Sequence, residues 1–191
     1  MNEIEAQKLI IITAPSGSGK TTIVHHLLAQ IPSLRFSVSA CTRSPRLNEI
    51  DGVNYHFITV ENFTRKIANH EFAEFEMVYE GKYYGTLKAE LQRIWDDQKY
   101  PLTDIDVQGA LRLMKHYGKQ AISLFIQAPS MEELKNRLIM RGTETPESLK
   151  ERVDKAAEEI KYAHHFDHVI INDQLEIACQ KAKTIIENFI L

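Results

Sequence analysis

The run Ala14-Pro15-Ser16-Gly17-Ser18-Gly19-Lys20-Thr21-Thr22 sets small residues, one lysine and two threonines between two apolar stretches. Residues of these types can hold a polyphosphate. Gly17 and Gly19 let backbone N–H groups turn inward around an anion. The N-terminus of a following helix adds its positive dipole end. Lys20 can bridge two phosphates, and the Thr21 hydroxyl can ligate Mg²⁺. The pattern G-x-x-x-x-G-K-[ST], between a strand and a helix, has this chemistry. Ala14 stands at its first glycine, where alanine serves if its φ is negative. The structural alternative is a plain Gly/Ser turn; the flanking elements and the Lys-Thr pair argue against it. The loop implies a nucleoside triphosphate and leaves the phosphoryl acceptor open.

Acceptor chemistry is offered further along. Arg43 and Arg46, spaced around a proline in a loop, suit bidentate recognition of a phosphate dianion. Tyr55 and Tyr84 could add hydroxyl donors. Alone, the two arginines read better as a solvated basic loop. In FAEFEMVY, Ala73, Phe75 and Met77 share one strand face and Glu74 and Glu76 the other. Guanine offers adjacent donors, N1–H and its 2-amino group, and one carboxylate can accept both. Adenine would present an acceptor there. Ser39 and Thr86 could complete such a set, which discriminates because a wrong base leaves polar groups unpaired. The bland alternative is a solvated edge-strand Glu.

Arg137 and Arg141, four apart, share a helix face, and Arg152 lies on the next helix. Phosphoryl transfer spreads charge over the moving group, which placed cations stabilise. Each arginine alone could equally be an ordinary surface charge. His164, His165 and His168 in HHFDH read as a helix end leading into a strand rather than a zinc site.

These residues need a scaffold, and the sequence outlines one. The chain has 191 residues, 43% apolar and 26% charged, with net charge −3. That suits one domain with a sizeable core and argues against a general nucleic-acid binder. Cys41 and Cys179 are far apart, which favours a reducing setting. The start, MNEIEAQK, is polar and acidic, unlike a signal peptide, and no apolar run approaches a membrane span. The expected location is cytoplasmic. Buried strands are expected at 8–13 and 121–127, an alternating strand at 36–42, a strand at 100–107 and a last strand at 168–172. A short strand at 55–59 and a hairpin built on 72–79 complete the set. Helices are expected at 21–30, 60–69, 86–95, 109–116, 131–141, from Thr145-Pro146 to about 164, and 175–189. Strands alternating with helices imply an α/β fold with a mainly parallel sheet covered on both faces. Residues 36–86 read as an inserted small mixed-sheet subdomain.

APSGSGKTT, FSVSACTRSPR, GVNYHF, EFAEFEMV, YYGT, DIDVQG, RGTETPESLKERV and VIIND follow one another in the order and approximate spacing of guanylate kinases. The chain resembles that family from Lys8 to the last helix. The resemblance implies a P-loop kinase with a parallel core (1–35, 87–129 and 156–191), a GMP-binding insertion (36–86) and a helical lid (130–155). It implies transfer of the γ-phosphoryl group of ATP to GMP, with Mg²⁺, giving ADP and GDP. The site residues it implies fall into four groups. ATP would contact Ala14 to Thr22 and Asn172, with Asp173 beside it. GMP would contact Ser39, Arg43, Arg46, Tyr55, Glu74, Tyr84, Thr86, Asp104 and Asp106. Lys20, Arg46, Arg137, Arg141 and Arg152 would be catalytic. Thr21 and Asp104 would hold Mg²⁺, partly through water, with the separate roles of Asp104 and Asp106 left open. Partners would be the small molecules ATP and GMP, without nucleic acid or membrane; oligomeric state is not legible. The rivals are a kinase for another monophosphate or a phosphorylated sugar, and a catalytically silent interaction module of the same family.

Overall fold

The computed structural model describes residues 7–142 and 145–191; residues 1–6, heading the expected core segment, and 143–144, in the expected lid, lie outside the described residues. The chain begins with β1 (Leu9–Thr13) and α1 (Lys20–Gln30), then β2 (Leu34–Phe36), β3 (Ala40–Cys41) and β4 (His56–Phe57). Next come α2 (Val60–Ala68), β5 (Phe72–Tyr79), β6 (Lys82–Leu87), α3 (Lys88–Asp96) and β7 (Tyr100–Asp104). It finishes with α4 (Val107–Tyr117), β8 (Ala121–Gln127), α5 (Met131–Met140), α6 (Pro146–Ile160), β9 (His168–Ile171) and α7 (Leu175–Ile190).

Five strands form a parallel sheet in the order β2-β7-β1-β8-β9. β1 is central and buried along its whole length, which is why its residues are apolar in unbroken sequence. Ile10 and Ile12 pack on one side with Leu27 of α1 and Ala182 and Ile186 of α7. Leu9 and Ile11 pack on the other with Leu91 of α3 and Leu113 of α4. Each fully buried aliphatic side chain contributes roughly 1.5–3 kcal/mol. Pro101 is tolerated in β7 because the ladder to β1 begins only at Leu102.

The second sheet is mixed, in the order β4-β3-β6-β5, with β3–β4 parallel and the other pairs antiparallel. The strand expected over 36–42 is two strands in different sheets: β2 pairs with β7, and β3 with β6. The helix expected from Thr86 starts later, because Thr86 and Leu87 still pair with Glu74 and Phe72. The boundaries expected at 35/36 and 86/87 therefore fall within β2 and β6. β7 ends at Asp104, short of the expected 107, and α4 starts at Val107 because Asp106 caps it, accepting from the Gly109 N–H at 2.8 Å. α6 opens with a capping box between Thr145 and Ser148 and with Pro146 in its first turn. It ends at Ile160, short of the expected 164, as the N–H groups of Lys161 and Tyr162 turn to carbonyls three residues back. A short 3₁₀ turn follows at Ala163–His165, and His164, His165 and His168 are exposed there.

Candidate active site

The loop between β1 and α1 has positive φ only at its two glycines, Gly17 (93°) and Gly19 (89°). Ala14 needs no left-handed conformation, so a Cβ costs nothing at the strand exit. Gly19 is the N-cap of α1 without a side-chain cap, and the first turn carries no acidic residue. The helix thus presents unsatisfied N–H groups and a positive dipole end. Leu134 and Leu138 of α5 press close to Gly17, and Asn172 presses close to Gly19.

A cleft of about 750 Å³ opens in front of this loop. Ala14, Pro15, Ser16, Gly17, Gly19, Lys20 and Thr21 form one wall. Ser39, Arg46, Tyr55, Glu74 and Tyr84 come from the second sheet and its loops. Asp104 and Asp106 line the floor at the end of β7, and Arg141 and Arg152 reach in from α5 and α6. Lys20 pairs with Asp104 and donates to the Ile105 carbonyl at 3.3 Å. Arg152 donates to Ser16 Oγ at 2.7 Å, so α6 already touches the loop.

The remaining expected residues lie outside the cleft wall. Ser18 is buried within the loop, and Thr22 is exposed one residue past Thr21. Asn172 is 4% exposed and donates from Nδ2 to the Ser18 carbonyl at 2.8 Å, holding the loop from behind. Arg137 is turned to Glu133, at 2.8 Å on its own helix. Arg43 spends its guanidinium on Glu49, with bonds of 2.5 and 2.7 Å, and on the Tyr84 hydroxyl at 3.2 Å. It also stacks over Tyr55 at 5.0 Å. The Glu49 bonds raise the Arg43 pKa and hold the Glu49 carboxyl down at about 2. Glu49 Oε2 also accepts from the Arg46 backbone N–H at 2.8 Å.

Glu74 is the most perturbed acid facing the cleft. Although β5 is an edge strand, Glu74 is 7% exposed while Phe75 and Met77 are 40% and 50% exposed. The hydrophobic alternation is inverted because α4 of the core covers the Glu74 face, with Gly109 against its carboxylate. Arg112 of α4 pairs with Glu76 on the same strand. Thr86, itself fully buried, donates to Glu74 Oε1 from its backbone N–H (3.0 Å) and its hydroxyl (2.8 Å). Among the described residues Oε2 has no such partner. Burial, helped by the nearby Asp106 charge and opposed by the Thr86 bonds, pushes the Glu74 carboxyl up to about 7.

Sequence reasoning passed over Glu49, Gly109, Ser148, Glu151, Lys155 and Glu159. Glu49 left a signal, following Arg43 and Arg46 in an R-x-x-R-x-x-E spacing. Gly109 left a weaker one, a glycine inside a helical pattern. The four residues of α6 reach the cleft only by tertiary packing; burial there raises the Glu159 carboxyl.

The family model described as guanylate kinase matches residues 6–189. A guanylate kinase of Bacteroides fragilis is 49% identical over 183 residues, 96% of this chain and 90% of the relative. One of Porphyromonas gingivalis is 48% identical over 96% of this chain and 98% of its own. In three dimensions, the crystal structure of guanylate kinase from Anaplasma phagocytophilum superposes with a TM-score of 0.76 at 31% identity, covering 95% of this chain and 85% of that one.

Proposed function

The chain belongs to the guanylate kinase family, enzymes that phosphorylate GMP with ATP to give GDP, and from that premise we propose how its residues carry the transfer. The observation that carries the proposal is a buried carboxylate, Glu74, facing the same cleft as the phosphate loop. ATP phosphates are wrapped by the amides from Ser16 to Thr21, with Ala14 and Pro15 at the strand exit. Lys20 bridges the β- and γ-phosphates. Asn172 acts through the loop, fixing Ser18 and Gly19, rather than through adenine. Thr22 supports the same helix start.

GMP occupies the other half. Glu74 Oε2 accepts from the guanine edge, and Ser39 and Asp106 border the same face. Thr86 serves by orienting Glu74. Arg46, Tyr55 and Tyr84 take the GMP phosphate. Arg43 joins them as a stacked, Glu49-held charge behind the tyrosines. Thr21 and Asp104 both line the cleft, Asp104 paired with Lys20, and their oxygen donors fit Mg²⁺, which keeps most of its water and needs few protein ligands beside substrate phosphates. When bound, that ion would neutralise charge on the phosphates.

Transfer is in line and direct. The attacking GMP oxygen is already anionic near neutral pH, so no strong general base is required. Arg141 and Arg152 offset the charge spread over the moving group, and Arg137 joins them once it leaves Glu133. Closure over the cleft excludes water and suppresses ATP hydrolysis. Two buried free thiols, Cys41 and Cys179, fit a reducing cytoplasmic setting. Among the described residues no helix is long and apolar enough to cross a membrane.

A coupled assay with Mg-ATP and GMP, AMP, CMP or UMP tests this reading. GDP formation should far exceed the other products; preference for a non-guanine substrate removes Glu74 from base recognition. GMP binding without GDP would favour a silent module.

Glu49→Gln tests the phosphate side. Losing the charge that holds Arg43 and the Arg46 amide should raise KM for GMP about tenfold, matching one charge-assisted hydrogen bond, with kcat changed less. A fall in KM would instead mean that Glu49 competes with the phosphate for Arg43.

A further inference from the structure

Gly109 occupies the third position of α4, after the cap Asp106. Its φ is not among the positive ones, so its backbone conformation is open to any residue. Helix propensity disfavours glycine there relative to alanine. Its backbone N–H donates to the Asp106 side chain, a bond that any residue but proline could make. Nothing in the local structure therefore asks for glycine.

The tertiary structure does. A Cβ at 109 would stand 2.8 Å from Glu74 Oε2 and 3.3 Å from Glu74 Cδ, with Asp106 Oδ1 next at an ordinary 3.5 Å. Glu74 has little freedom to retreat, since Thr86 pins Oε1 through two hydrogen bonds. A methyl group at 109 would swing the carboxylate about that pinned oxygen and displace Oε2. The atom it meets is the end of a side chain, not backbone, so the fold can absorb the shift.

We propose that Gly109 is a specificity-determining positioning residue, whose missing side chain leaves the space in which Glu74 Oε2 stands to read the 2-amino edge of guanine. The inference rests on the role given to Glu74 above. Gly109 touches no substrate and acts through Glu74.

The test compares GMP with IMP, which lacks the 2-amino group, in wild type, Gly109→Ala, Glu74→Ala and the double variant. Wild type should prefer GMP. Gly109→Ala should lower the GMP/IMP ratio of kcat/KM at least tenfold, with KM for ATP within twofold of wild type. In the Glu74→Ala background, where the clash is gone, adding Gly109→Ala should leave the ratio unchanged and should not lower the thermal midpoint, since alanine is the better helix former. A general structural role would instead lower both substrates and the midpoint alike in either background, and that result overturns the proposal. So does an unchanged ratio in Gly109→Ala when wild type prefers GMP, which leaves the role of Glu74 standing. A wild type without GMP preference removes the role of Glu74 and this inference with it. Should Gly109→Ala not fold, recovery of the fold by Glu74→Ala supports the proposal, and failure to recover it counts against it.

Discussion

Replacing Lys20 with alanine is expected to lower kcat for GDP formation by about 10²- to 10³-fold, the usual cost of removing one preorganised group that meets developing charge. Lys20 is the first residue of α1, so the helix start proposed to bind phosphate also aims its side chain. Its Nζ rests on Asp104 and the Ile105 carbonyl at the end of β7. That pair is partly exposed, at 21% and 20%, so its attraction is screened and a triphosphate can draw the lysine away. Without Lys20 the β- and γ-phosphates lose the cation proposed to bridge them, while Asp104 keeps the Mg²⁺ assigned to it. Lys20→Met keeps the apolar stem and should lose turnover equally, which separates charge from packing. The loop glycines and their contacts with Asn172 and Leu138 are untouched, so both variants should unfold at nearly the wild-type temperature. Turnover within tenfold of wild type would break the argument for the loop.

What the sequence made legible is what neighbouring residues decide. The phosphate loop is contiguous, and its strand, glycines, lysine and helix follow in one line, so chemistry and geometry were readable together. The start of α6 was equally local, because Thr145, Pro146 and Ser148 satisfy the first turn among themselves. The strand expected over 36–42 failed for the opposite reason. Alternation continues through it, but Leu34–Phe36 finds its partner at Tyr100–Leu102 and Ala40–Cys41 at Tyr84–Gly85. No local pattern records a change of sheet.

The site shows the same division. Arg43 and Arg46 read alike, as two arginines around a proline, yet Glu49 holds one guanidinium and leaves the other to border the cleft. Asn172 follows β9, where a ligand contact is the usual expectation, and its amide also donates to the Ser18 carbonyl, a contact no local pattern records. Phe75 and Met77 have the composition of a buried face and are exposed, while Glu74 takes the interior because a helix from the core, 35 residues further on at Gly109, lies over it. Burial of a carboxylate is expensive and is not inferred from β-propensity. It takes a function to give a reason for it.

That cost supplies the second large prediction. Glu74→Gln should lower kcat/KM for GMP by about 10²-fold or more, since an amide sets a donor against the donors of guanine and leaves buried polar groups unpaired. The same change should stabilise the nucleotide-free protein at alkaline pH. The folded Glu74 carboxyl titrates near 7, above its ordinary 4.5. Its neutral form is favoured by folding, so this contribution is fully present below pH 4.5 and is lost as pH rises through 7. The loss approaches roughly 3 kcal/mol, at 1.36 kcal/mol for each pH unit separating those two values. Glutamine cannot ionise and can still accept the two Thr86 bonds, so the variant should gain on wild type between pH 5 and 8, with the gain levelling off above about 7. Denaturant unfolding at those two pH values measures the gain. Guanine needs the charged form, so binding GMP must expel the proton: wild-type KM for GMP should rise up to tenfold per pH unit below 7. The GMP phosphate itself titrates near 6, and the Glu74→Gln profile, which keeps that titration alone, separates the two. A variant that loses GMP selectivity and gains alkaline stability marks a carboxylate held against its folding preference for recognition. If Glu74→Gln loses stability at pH 8 instead, the carboxylate is a structural acid and guanine must be read by other groups.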